Sequence, residues 1–145
     1  MTWSDAPPTV LYRSERTFRV WRYGVGHSHL LLRSLPDGEN ATQLDLHFEA
    51  VRAMQLVTRY EALDILAVDE PEFSRIFEES GVPPKWRHTQ LIVRLRSRSG
   101  EGYVQSGRVI LDRREGRTAD AIDPPGPRDV VWSLRPSDLT PPPPP

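Results

Sequence analysis

The sequence predicts an α+β fold: a mostly antiparallel sheet of about five to seven strands, a meander followed by a C-terminal hairpin, with one clear helix over about 69–80. Three observations carry that expectation. Phe18 to Ser34 and Thr42 to Glu49 alternate apolar and polar residues with period two, as strands with two unlike faces do. Asp69 to Gly81 holds an apolar stripe at helical spacing between a start and a stop signal. His88 to Arg98 and Tyr103 to Asp112 flank Ser99-Gly100-Glu101-Gly102, the arrangement of a hairpin.

Taken in order, a first strand spans 17–24 and ends at Gly24-Val25-Gly26, and a second spans 28–34. The turn Leu35-Pro36-Asp37-Gly38-Glu39-Asn40 follows, rich in the residues that reverse a chain. A third strand starts at Thr42 with Leu44, Leu46 and Phe48 on one face. Beyond it two patterns compete over 48–57. Phe48, Val51, Met54 and Val57 have helical spacing, whereas Leu56 and Val57 continue a bent strand, and the strand is preferred.

Ala62 to Val68 reads as a further strand with Leu63 and Ile65 inward. Asp69 then suits a helix N-cap, with Pro71 in the first turn and Glu72 three residues after the cap, as in a capping box. Phe73, Ile76 and Phe77 form the apolar stripe, and Gly81 supplies a left-handed stop before Pro83 and Pro84. In the hairpin, Leu91, Val93 and Leu95 are expected to face Tyr103, Val109 and Leu111. Asp129 to Leu134 is a short apolar run suited to an edge strand.

A chain of 145 residues suits one domain, expected over 10–134 with a loop-like stretch at 118–129. Residues 1–9 read as a flexible N-terminus and 135–145 as a disordered proline-rich tail, since proline removes donors and favours polyproline II. A net charge of -1 with 27% charged residues argues against a dedicated nucleic-acid binder, which needs a basic field. The absence of cysteine excludes disulfides and thiolate chemistry and favours a cytoplasmic setting. No apolar run approaches the roughly 18 residues of a membrane helix, so no membrane partner is expected.

Register follows from requiring core residues to face core residues. Pairing Leu32 with Leu44, and Val20 with Leu32, satisfies this and sets His29 opposite His47, Leu31 opposite Asp45 and Tyr23 beside His29. One face then carries Trp21, Tyr23, His29, Leu31, Asp45 and His47, the candidate binding patch. Opposed Cβ atoms about 4.5–5.5 Å apart let His29 and His47 share a divalent metal, with Glu49 or His27 as third ligand. Two half-exposed histidines packed on aromatics are the plainer reading, and no cofactor is expected.

Other motifs are thin. Ser28 has no G-x-S-x-G elbow, and Gly24-x-Gly26 lacks the third glycine of a phosphate loop. The acids around Asp69 to Glu79 suit a helix and its dipole more than a carboxylate pair. Arg94, Arg96 and Arg98 alternate along a strand and read as edge protection.

Tyr23-Gly24-Val25-Gly26-His27 followed by Leu30-Leu31-Leu32-Arg33-Ser34 resembles a Y-x-V-x-H…LLLRS signature of small uncharacterised actinobacterial proteins. Leu44-Asp45-Leu46, Phe48 to Val51 and Gly102-Tyr103-Val104 extend the resemblance in scattered pieces over roughly 20–112. It implies a strand after Phe48 and no activity, and the arginine-rich composition accords with it.

The leading functional expectation is a non-enzymatic interaction module with a protein partner, an immunity or toxin–antitoxin type protein being one form of it. The alternatives are a metal-dependent or acid–base enzyme using His29, His47 and Asp45 or Glu49, and a structural component tethered by its proline tail. Partner identity and oligomeric state do not follow from these residues.

Overall fold

The strands within 29–34 and 42–49 alternate because one face of each lies on the hydrophobic core and the other carries the rows of Leu31 with His47 and Arg33 with Asp45. The computed structural model describes residues 8–115 and 127–139. Among them the strands are β1 Val10–Arg13, β2 Thr17–Gly24, β3 His29–Ser34, β4 Thr42–Glu49, β5 Ala53–Gln55, β6 Arg59–Glu61 and β7 Asp64–Ala67. Helix α1, Glu70–Ser80, precedes β8 Leu91–Arg96, β9 Glu101–Ser106, β10 Arg108–Glu115, β11 Asp129–Leu134 and a single helical turn, α2, Pro136–Leu139. The α+β class and its antiparallel character are as expected. The strands are more numerous because β1, β5 and β6, at three or four residues each, are too short to show a period.

These strands form two antiparallel sheets, in the orders β1-β7-β8-β9-β5 and β11-β10-β4-β3-β2-β6. One core fills the space between them, with Phe18, Leu30, Leu32, Leu46, Phe48, Val109 and Leu111 from the larger sheet meeting Ile65, Val93, Leu95 and Val104 from the smaller. Facing apolar sides of two sheets bury each other in this way in sandwiches. Helix α1 covers the outside of the smaller sheet, where Ile76 and Phe77 pack on Ile92. The Asp69 carboxylate accepts from the Glu72 amide at 3.1 Å, and Gly81 ends the helix at φ 76°, so both end signals work as anticipated.

The C-terminal hairpin differs from expectation. β8 pairs with Glu101–Ser106, with Val93 opposite Val104 and Arg94 opposite Tyr103, while Val109 and Leu111 belong to the other sheet. The chain changes sheets at Gly107. It also changes sheets between β4 and β5, at Ala50, whose φ is 55°. The two corners are tied together: the Gly107 amide donates to the Glu49 carbonyl and the Arg52 amide to the Gln105 carbonyl, each at 2.9 Å. Thus 48–57 is strand in part, as preferred, but its second piece, β5, joins the opposite sheet.

Arg94 and Arg96 guard no edge, because β8 is the central strand of its sheet; they reach Glu72 at 2.7 Å and Asp64 at 2.9 Å instead. The segment 129–134 is an edge strand on β10. Residues 136–139, expected in the tail, are helical. The flexible start over 1–7, the loop-like 118–126 and the tail over 140–145 lie outside the described residues. No helix among the described residues is long and apolar enough to cross a membrane.

Candidate functional site

The outer face of the six-stranded sheet is built in rows across β3, β4 and β10. Leu31, His47 and Ile110 form one row, and Arg33, Asp45 and Asp112 the next. Gln43 and Arg114 follow. This register is two residues away from the expected one. A shift of two keeps every side chain on its face, so the leucines still enter the core, with Leu30 now opposite Phe48 and Leu32 opposite Leu46. What it changes is charge matching. Arg33 stands opposite Asp45 rather than Gln43, and its Nε and second guanidinium nitrogen reach the two carboxylate oxygens at 2.7 and 3.2 Å.

A bulge between Val20 and Arg22 alters the neighbouring strand. One extra residue in β2 hands later side chains to the other side. Arg22 pairs with Leu31, Tyr23 with Leu30 and Gly24 with His29, so Tyr23 leaves the histidine face. Trp21, at the bulge, lies 5.2 Å from the Arg33 guanidinium carbon and covers it. The expected patch is therefore not one surface. Leu31 and Asp45 are buried, Trp21, His29 and His47 are half-buried, and Tyr23 is exposed on the other side.

His29 and His47 nonetheless meet, as diagonal rather than direct neighbours. Diagonal pairs stand roughly 7–8 Å apart at the backbone, within reach of long side chains. His29 Nε2 lies 2.9 Å from His47 Nδ1, with the rings nearly parallel at 10°. On its other edge, His47 Nε2 lies 3.0 Å from Asp112 Oδ2. An ionised carboxylate only accepts, so a neutral His47 carries its proton on Nε2, and its Nδ1 lone pair then accepts from His29. Arg128 approaches the same Asp112 oxygen at 3.5 Å. The other oxygen, Oδ1, is buried without a hydrogen-bond partner among the described residues. Burial, then the neighbouring His47 charge, hold the His29 pKa below its usual range, while Glu49 acts in the opposite direction.

These groups open into a cleft of about 710 Å³ lined by His27, His29, His47, Glu49, Arg108 and Ile110, with Asp112, Arg128 and Val130 on the β11 side. Arg108 reaches Glu49 at 3.9 Å along the rim. A second possible ligand set lies deeper: Asp45, His47 and Asp112 each bring one ligand atom within 4.8 Å of the others. It suits a cation poorly. Both Asp45 oxygens are already engaged by Arg33, and Gln43 Nε2 donates to them at 3.3 Å.

Asp112 and Arg128 are the functional-site residues that the sequence reading missed. Placing Asp112 required knowing that β10 pairs with β4. The available signal was the alternation of Val109 and Leu111 with Ile110 and Asp112, which matches Leu46 and Phe48 alternating with Asp45 and His47. No protein-family model matches the chain, and no curated protein or solved structure shows significant similarity to it.

Proposed function

We propose that this protein is a non-enzymatic interaction module that receives a protein partner at the histidine cleft. The observation that carries this reading is the composition of the rim. Val130, 62% exposed, lines the cleft, and Val25, 81% exposed, stands in the same turn as His27. Exposed apolar side chains at the edge of a cleft are surface that a partner would cover. Trp21 is unsuited to testing it, because its ring lies over the buried Arg33 guanidinium. The Val25→Asp/Val130→Asp double variant changes only exposed side chains. Wild-type protein is expected to capture a stoichiometric partner from native lysate that the folded double variant loses. Retention of that partner by the variant, or no capture above a tag-only control, overturns the proposal.

A second reading, acid–base catalysis, is supported by the hydrogen-bond chain from Asp112 through His47 to His29. Asp112 fixes the His47 tautomer, and His29 is kept neutral and faces the cleft, the disposition of a general base. Turnover in a screen of ester, phosphoester and glycoside substrates that disappears in His29→Gln supports it. Turnover that survives the substitution counts against it.

A further inference from the structure

We infer that His29 Nε2 and His47 Nδ1 are ligands of a divalent transition-metal ion, with Asp112 as the carboxylate behind His47. Three features of the cleft point there. First, the two nitrogens converge at 2.9 Å. Two imidazole nitrogens sharing a tetrahedral zinc stand roughly 3.3 Å apart, given bonds of about 2.0–2.1 Å. To take a metal the nitrogens would part by a few tenths of an ångström, and each ring would turn so that its lone pair aims at a shared point rather than at the other ring.

Second, the His47–Asp112 contact is the one a metal-bound histidine uses. A ligating imidazole donates its remote N–H to a carboxylate, which fixes the tautomer and raises the basicity of the ligating nitrogen. Here Asp112 Oδ2 holds Nε2 at 3.0 Å and leaves Nδ1 as the free lone pair. His29 needs only to carry its proton on Nδ1 for its Nε2 lone pair to converge on the same point. Without a metal, the two nitrogens share one proton instead.

Third, two further donors share the cleft, although neither lies within 4.8 Å of both imidazole nitrogens and each would have to swing in to ligate. The register carries His29 to the level of Glu49, and both Glu49 and His27 line the cleft. Water completes the shell from the open side. The arginines of the cleft oppose a cation, but Arg108 is turned to Glu49 at 3.9 Å and Arg128 to Asp112 at 3.5 Å. An imidazole-rich set with one carboxylate selects zinc, copper or nickel over magnesium or calcium. The deeper Asp45–His47–Asp112 group is a poorer site, because the Arg33 guanidinium lies against Asp45.

The inference is separate from the partner reading, because metal binding is measured on the chain alone. The experiment is calorimetric titration of chelator-treated full-length protein with Zn²⁺, followed by the visible spectrum with Co²⁺. Binding of one equivalent is expected, with a tetrahedral cobalt spectrum. His29→Gln, a half-exposed position, should weaken binding at least tenfold while leaving the circular dichroism unchanged. Asp112→Asn should weaken it about 10–100-fold, the usual loss when such a carboxylate is removed. No binding by wild-type protein at 100-fold excess zinc overturns the inference. So does wild-type affinity in His29→Gln, or loss in Asp45→Asn with His29→Gln unaffected, which would place the ion in the deeper group.

Discussion

Arg33 and Asp45 close a two-bond ion pair across β3 and β4, at 2.7 and 3.2 Å, with each residue only 1% exposed. Breaking such a pair leaves one charge buried and uncompensated, which costs about 3–5 kcal/mol. Arg33→Met is therefore expected to lose about that much stability in urea denaturation. Arg33→Met/Asp45→Leu should recover most of it, since two apolar groups of similar size leave no stranded charge. A double variant no more stable than Arg33→Met alone would show that the pair does not act as a unit.

Asp64 contributes to the acid limb of the stability curve. Hydrogen bonds from Arg13, then Arg96, hold its carboxyl below the usual carboxylate range. A depressed folded-state pKa means that the unfolded chain binds the proton first. The contribution is thus fully present above the ordinary value of about 3.9 and is lost as pH falls through the lower folded value. Arg13 is largely exposed, so the effect is modest and salt-sensitive. Asp64→Asn should flatten the fall in melting temperature below that range while lowering stability slightly at neutral pH. An unchanged acid limb would remove Asp64 from the account.

Gly102 is required by a close approach. A Cβ there would lie 2.2 Å from the Gln55 carbonyl oxygen and 2.7 Å from the Tyr60 hydroxyl. Tyr60 is fully buried, and its hydroxyl accepts from the Val57 amide at 3.1 Å, so it has little room to retreat. Gly102→Ala should destabilise by roughly 1–3 kcal/mol, as overpacking does. The midpoint of denaturant unfolding measures it, and a neutral result would mean that β5 can move away from β9.

The cap of α1 gives a smaller effect. Asp69→Ala removes the acceptor for the Glu72 amide and should cost about 1 kcal/mol, or about 4 °C in melting temperature. Asp69→Asn, which keeps the acceptor, should lose much less. Equal losses would assign the effect to charge rather than to the hydrogen bond.

How far the site could be read from residues depended on what set the register. Core matching alone puts Leu30 and Leu32 inward in either of two registers, and both bring His29 near His47. Choosing between them needed the buried pair Arg33–Asp45, a charge match that periodicity does not weigh. The bulge at Trp21 breaks alternation by one residue without any glycine or proline to mark it, so Tyr23 was assigned to the wrong side. Asp112 was out of reach for another reason. Val109 and Leu111 fit a hairpin with β8 as well as they fit β4, and Gly107 marks the change of sheet only once the pairing is known. Helix α1, by contrast, is governed by local chemistry, from Asp69 to Gly81, and its limits follow directly.

The tied corners at Ala50 and Gly107 bear on how the molecule opens. Because Glu49, Arg52, Gln105 and Gly107 bond across the two crossings, parting the sheets there breaks both bonds together. The amides of Arg52 and Gly107 should therefore exchange with solvent deuterium only through whole-molecule unfolding, and heat should melt both sheets in one transition. Glu49 and Arg108, on the rim of the cleft, sit beside that knot. The mouth of the cleft is thus tied to both sheets at once, and the exchange of those two amides reports how firmly it is held.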